Sequence, residues 1–373
     1  MILPLLWVAV LSMPGRAGVL PVMPPAPALS APREPTEFHD EIERDFPLRS
    51  DGQLQITNMR GDIVIQGWSL DKIRVKARRR ALTAGSEEAR RLFAAVDFSF
   101  SNVDGQLELA AEYGRGLCLA ERLREREHPQ TGMQLTVYAP AHLKLRVWGV
   151  EGHITVKNWD ASVDARASSG SINIDSVKSG GVSVLCPSCS IRLHSIRGPV
   201  RCMGESGEIQ LSDIEAPQTY AESSTGALKA LRVIGEQLYV TRTGSITGHE
   251  LQGRIEFRAG SAPVTILESK GFLSGRSTSG DITARMRDWT FADKAVIESI
   301  QGNIRLSLPL DFSGEVDLFS GKGLPEVGFP IEKSEDRASG GKSQPGHVVG
   351  RVGDGGELLQ VLSTQGSVQL GHG

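Results

Sequence analysis

The feature that most constrains this chain is a repeat with a fixed ruler. A short pattern recurs in which Ser or Thr is followed by one residue, a Gly, one more residue and a branched apolar residue, as in Ser168-Ser-Gly-Ser-Ile172 and Thr278-Ser-Gly-Asp-Ile282. Aligned on the apolar residue, the anchors are Ile154, Ile172, Ile191, Ile209, Leu228, Ile246, Val264, Ile282 and Ile304, separated by 18, 19, 18, 19, 18, 18, 18 and 22 residues. Self-similarity at such a period is the signature of a repeat architecture in which each unit packs on its neighbours. Seven of the nine anchors have Gly two residues before them, with Cys189 and Ala262 as the exceptions. A Gly there fits a turn that needs positive φ or a close approach between neighbouring coils.

Each unit holds two strands. Most anchors are followed two residues later by a second apolar residue (Val156, Ile174, Leu193, Leu211, Ile266), the period-2 mark of a strand with one buried face. About nine residues on comes another, clearest in Val163, Ala165 and Ala167, in Val182, Val184 and Cys186, and in Val200 and Cys202. Strands that repeat in one direction stack in parallel about 4.8 Å apart, so nine coils make a rod of roughly 40 Å. Parallel crossovers are right-handed almost without exception. The expectation is therefore all-β: a right-handed parallel β-solenoid with about 18 residues per coil. A lone coil buries too little apolar surface to offset the entropy of ordering it, so only stacking makes it stable.

The same beat appears earlier in Leu54 and Ile56, Ile63 and Ile65, and Ile73 and Val75, which places the solenoid domain at 46–373. A short helix is expected near 86–93, where Ser86 would cap an acidic first turn. Segment 114–131 is charged and irregular, with strands resuming at 133–137 and 143–147. Residues 332–350, rich in Gly, Ser and charge, read as a flexible loop. Thr364-Gln-Gly-Ser-Val368-Gln-Leu370 then restates the motif as a closing rung.

The chain opens on an apolar run, residues 1–13, of signal-peptide length and shorter than a spanning helix, although the usual basic residues before it are missing. Residues 1–31 are read as a signal peptide and the start of a linker, with cleavage after Ala17 or Ala31, and 32–45 as the rest of the linker; six prolines fall between Leu20 and Pro35. Export to the periplasm, outer envelope or cell surface follows, and no later run is long enough to span a membrane. The formal charge of −3 includes Arg16, the one charged residue of the first 31, so the mature chain carries about −4 and suits no polyanion globally.

These motifs resemble a bacterial adhesin-like family with β-strand repeats (domain of unknown function 4097). The resemblance rests on the opening LQITNMRGDIVI from Leu54, the serial SGSI, TGSI and SGDI rungs, and the terminal LLQVLSTQGSVQL, over about residues 45 to 373. It implies a β-solenoid in exported or envelope-associated proteins and supplies no catalytic residues. The Gly-to-Cys exchange at Cys189 departs from its pattern.

Candidate chemistry is sparse. Ser339-Gly-Gly-Lys-Ser343 superficially matches a phosphate loop but has Asp336 where the first glycine belongs. The eight histidines show no metal-ligand spacing, so neither a metal nor a cofactor is expected. Asp175 and Asp213 occupy similar places beyond their strands, but His194 holds the corresponding place between them, which breaks an acidic stripe. Lys72, Arg74, Lys76 and Arg78 alternate with apolar residues and would share one face, available to anionic lipid or glycan or simply solvated and blunting edge pairing. Few aromatics interleave with them, so nucleic acid is not an expected partner. If a disulfide forms, it joins Cys186 to Cys189: Cys202 should face Val184, about 8 Å from Cys186 and beyond the reach of a bridge. Four unpaired thiols, redox chemistry and zinc are the alternatives. The function expected is a non-catalytic envelope or surface module, adhesive or scaffolding, with an envelope, glycan or protein partner; the alternative is a carbohydrate-active enzyme on the same scaffold.

Overall fold

The repeat anchors lie side by side. Ile154 pairs with Ile172, Ile172 with Ile191, Ile191 with Ile209 and Ile209 with Leu228, and the parallel series runs on through Ile246, Val264, Ile282 and Ile304. The structure, a computed structural model, describes residues 35–48, 52–121, 130–290, 293–333 and 346–373. The leader and most of the linker (1–34) lie outside them, as does the Ser339–Ser343 motif.

Among the described residues the protein is all-β but for the helix Ser86–Ala94 and helical residues 119–121. Two parallel ladders enclose one core. The first carries the anchors; the second carries the other half of each repeat, Leu145 beside Val163, Val163 beside Val182 and Val182 beside Val200. Three long strands, Ile209–Ser223, Leu228–Thr241 and Val264–Ser277, bend from one ladder into the other. The bend falls four residues after each of the first seven anchors, at Asn158, Ser176, Ser195, Asp213, Arg232, Glu250 and Glu268, all with φ between 52° and 62°. Left-handed residues are rare outside Gly, so this aligned series marks one corner repeated coil after coil.

The opposite corner explains the sequence motif. A Cβ on Gly226 would lie 1.9 Å from the Gly207 carbonyl oxygen, and one on Gly244 would lie 2.0 Å from that of Gly226. Close approach of stacked backbones, more than positive φ, excludes a side chain there; among the motif glycines only Gly152 and Gly170 have positive φ. From Gly226 onward a buried hydroxyl stands three residues before most of these glycines, where the sequence pattern had placed it one position later. Ser223, Thr241, Ser299 and Ser363 each accept a 2.9 Å hydrogen bond from the N–H of Gly226, Gly244, Gly302 and Gly366. Ser363 also donates to the Gly302 carbonyl of the neighbouring rung at 2.7 Å. These hydroxyls satisfy turn amides that water cannot reach.

The ends depart from the simple repeat. Strands Gln53–Arg60 and Ile63–Trp68 join the parallel ladders, but Ile73 and Val75 do not continue them: Lys72–Thr83 is antiparallel to Thr131–Pro140. Residues 36–47 are a strand, not linker. Thr36–Pro47 runs antiparallel to Lys72–Thr83, its Phe46 stacked on Phe100 with ring centroids 4.1 Å apart. Proline density masked its alternating Phe38, Ile42 and Phe46. The helix starts one residue earlier in cap terms than expected, with Gly85 as N-cap and Ser86 already helical, and it ends where Arg79 donates to the carbonyls of Phe93 and Val96 at 2.7 and 2.9 Å.

At the other end Val368 and Leu370 pair with Ile304 and Leu306, yet this rung is not the last. Glu326–Val327 pairs with it from outside, and Gly314–Ser320 lies outside Leu358–Ser363. Nor is 332–350 wholly a loop: Glu332–Lys333 and His347–Val352 are antiparallel strands, with 334–345 outside the described residues. Val348 and Val352 give this segment the apolar residues its composition concealed.

Replacing Ser299 by Ala should lower unfolding free energy by about 1–3 kcal/mol, the cost of stranding a buried amide. Gly226→Ala should cost about as much through overpacking. Denaturant unfolding of both variants checks this, with little change expected for Gly371→Ala, whose Cβ would meet nothing within 4 Å.

Candidate binding face

Alternation along Lys144–Glu151 turns Leu145 and Val147 into the core and leaves Lys144, Arg146 and Trp148 outside. In the parallel register, the outward residues form two rows across neighbouring strands. Arg146 stands beside Asp164, Ser183, Arg201 and Tyr220; Trp148 stands beside Arg166, Leu185 and Met203. Small residues at Ser162, Gly181 and Ser183 leave a depression of about 560 Å³ between the larger ones, and a second of about 530 Å³ adjoins it, sharing Arg146 and Asp164.

The electrostatics of this face are uneven. Arg166 donates to both oxygens of Asp164 at 3.2 and 3.0 Å, so that pair is internally neutralised. Lys144, Arg146 and Arg201 have no acidic partner among the described residues, and the Arg201 guanidinium sits 5.0 Å above the Tyr220 ring. Farther along the same ladder two arginines are paired, Arg254 with Glu256 at 2.6 Å and Arg276 with Glu298 at 3.2 Å, while Arg258, beside Arg276, lies exposed. Trp148 is 56% exposed. The alternation Lys-Leu-Arg-Val-Trp was legible in the sequence; what it could not reveal is which cations find acids across the strands.

The basic row expected to meet an anionic surface is differently employed. Lys72 and Arg74 bind Asp45, each at 2.7 Å, and Arg74 and Lys76 approach Glu43 at 3.3 Å. Arg78 lies opposite Glu41 in the register. The strand is therefore interior to its sheet, covered on its N-terminal side by an acidic strand of this same chain, and neither an edge nor an open cationic face. Asp175 and Asp213 are also not equivalent. Asp175 pairs with His194 and His194 with Ser212, so Asp213 sits one residue further, at the left-handed corner. There Arg232 binds it at 2.6 and 2.9 Å and holds its carboxyl below the usual carboxylate range.

Cys186 and Cys189 are joined by a disulfide, Cα atoms 5.5 Å apart. Cys186 stands five residues before the anchor Ile191, where Ser223 stands relative to Leu228, and Cys189 replaces the turn Gly. The bridge thus spans the same two positions as the Ser-to-Gly hydrogen bond of other rungs. Cys202 pairs with Val184 and Cys186 with Gly204; burial pushes the Cys202 thiol up to about 12. Cys118 is exposed.

These features define an all-β protein of stacked parallel strands with a basic, aromatic outer face. It belongs to the Toastrack DUF4097 family, whose model matches residues 50–352. Among curated proteins, none matches. The chain is similar to a solved structure from Parabacteroides distasonis, provisionally named a lipid binding protein, at 13% identity and TM-score 0.40, over 72% of this chain and 97% of that one. It is similar also to a provisionally named adhesin from Bacteroides fragilis, at 15% identity and TM-score 0.29 over 72% and 97% of the two chains. A third, provisionally named a cell adhesion protein from Clostridium sporogenes, is 8% identical with TM-score 0.22 over 91% and 100%.

Two outcomes follow. Alkylation of the native, unreduced protein should modify Cys118 alone, and Cys202 should react only on unfolding. Asp45→Asn should speed amide exchange across 36–47. Because Lys72 and Arg74 depress the Asp45 carboxyl, its contribution is complete above about pH 4 and fades as pH falls below that. The strand should therefore loosen in acid, not in alkali, as exchange measured against pH will tell.

Proposed function

We propose that this protein is a non-catalytic module of the cell envelope or surface, exported with loss of a leader within residues 1–31, and built as a right-handed solenoid of about 18 residues per coil. It works by presenting the broad outer face around Arg146 and Trp148 to an envelope, glycan or protein partner, in adhesion or scaffolding. The observation that carries this reading is the face itself: shallow, adjoining depressions lined by cations with no acidic partner among the described residues and by an open indole, the composition of a recognition surface. The Cys186–Cys189 bridge suits an oxidising compartment, and no described helix is long and apolar enough to cross a membrane.

A carbohydrate-active enzyme on this scaffold has less support. Glycoside cleavage needs two carboxyls flanking one bond, one of them with a raised pKa. Asp164 is the one carboxylate lining either depression and is held by Arg166. Elsewhere Asp213 is held by Arg232, and Glu268 by Arg285 and Arg287, with their carboxyls shifted down, away from an acid's requirement.

Cell fractionation should place the mature protein in the periplasm, envelope or surface fraction, and the purified protein should release no reducing ends or unsaturated ends from polysaccharides. A cytoplasmic protein, or turnover lost on mutating a pair of neighbouring carboxylates, would contradict the reading.

A further inference from the structure

Resting on that reading, we infer that the face around Arg146 binds a carboxylate-bearing polysaccharide laid across the strands. Three observations converge. Lys144, Arg146 and Arg201 are cations with no acidic partner among the described residues, on a chain whose formal charge is −3. Local positive charge on a net-negative protein selects acidic ligands by position instead of attracting them everywhere. Arg146 and Arg201 lie three strand spacings apart, about 14 Å, so one extended polyanion can reach both, whereas a small anion reaches one. The row between them offers Asp164 and Ser183, which can accept from and exchange hydrogen bonds with hydroxyl groups.

The second observation is the indole. Trp148 lies two residues from Arg146, about 7 Å along the strand, beside Arg166, with Leu185 on the strand beyond. An exposed Trp on a rigid sheet gives an apolar plane for the C–H face of a sugar ring while its rim hydroxyls reach neighbouring polar groups. The third is shape. Each depression crosses several strands, the first lined from Gln53 to Tyr220 and the second from Gln55 to Leu185, and they share Arg146 and Asp164, which suits a chain more than a compact molecule.

The test uses the full mature chain and polygalacturonate, with dextran as neutral comparator, read by gel retardation and calorimetry. Polygalacturonate should bind, dextran should not, and added salt should weaken binding. Arg146→Ala and Trp148→Ala should each weaken it by about tenfold or more, as removal of a central contact does. Arg305→Ala, which removes a cation on the other ladder, should leave it within about twofold. Both site residues are exposed, and unchanged circular dichroism confirms that the variants fold. Equal loss in Arg305→Ala would reduce the effect to net charge and overturn the proposal. So would absence of polygalacturonate binding. If isolated cell envelopes are then still bound and Trp148→Ala abolishes it, the acidic glycan is wrong and the surface-module reading stands; if envelopes are not bound either, both fall.

Discussion

The contact on which the rest of the structure depends is the approach of one turn to the next. Rungs stack so closely at the Gly corner that the Gly207 carbonyl occupies the place of a Cβ on Gly226. Burying that corner leaves amides with no access to water, and an unmade hydrogen bond there costs as much as a poorly filled core. The column from Gly204 through Ser223, Thr241, Ala259, Ser277, Ser299 and Ser363 to Ser320 answers this with small residues, most of them hydroxylated. Hydroxyls accept from their own turn and donate to the neighbouring one, so the stack is tied along its length at the place where packing alone would be weakest.

Strict register has a second consequence. Because side chains alternate and rungs align, outward residues are brought into rows that no local sequence window displays. The same alternation of basic and apolar residues occurs in 72–78 and in 144–148, with opposite fates. The first is met by Asp45 and Glu43 from a strand nearly thirty residues away and becomes an internal ion-pair ladder. The second is met by Ser183 and by an Asp164 already bound to Arg166, and remains open. Charge on a strand therefore acquires meaning only from the strand beside it.

This is also why some of the protein could be read from its sequence and some could not. The anchors from Ile154 to Ile304, the alternation of inward Val, Ile and Leu, and the placement of Cys202 beside Val184 follow from spacing, because a period-2 strand stacked on its own repeat admits one register. The hydroxyl column was present in the sequence as Ser223-Ser-Thr-Gly226 and Ser363-Thr-Gln-Gly366, but neighbouring Ser and Thr residues obscured which position was buried. What spacing cannot supply are the antiparallel additions. Thr36–Pro47 has its partner in Lys72–Thr83, and His347–Val352 has its partners in Gly314–Ser320 and Glu332–Lys333; each looks like linker or loop until a partner covers its apolar residues. The candidate face was missed for a related reason, since Arg146 differs from other exposed strand cations only in what fails to neutralise it.

Residue-resolved hydrogen exchange on the native chain tests the central claim most directly. If buried hydroxyls seal the turns, the amides of Gly226, Gly244, Gly302 and Gly366 will be protected as strongly as those of the anchors Leu228, Ile246, Ile304 and Val368 that follow them. Turn amides that exchange quickly while the anchors stay protected would show that the corners open to water, and that side-chain packing between the two ladders holds the stack without them.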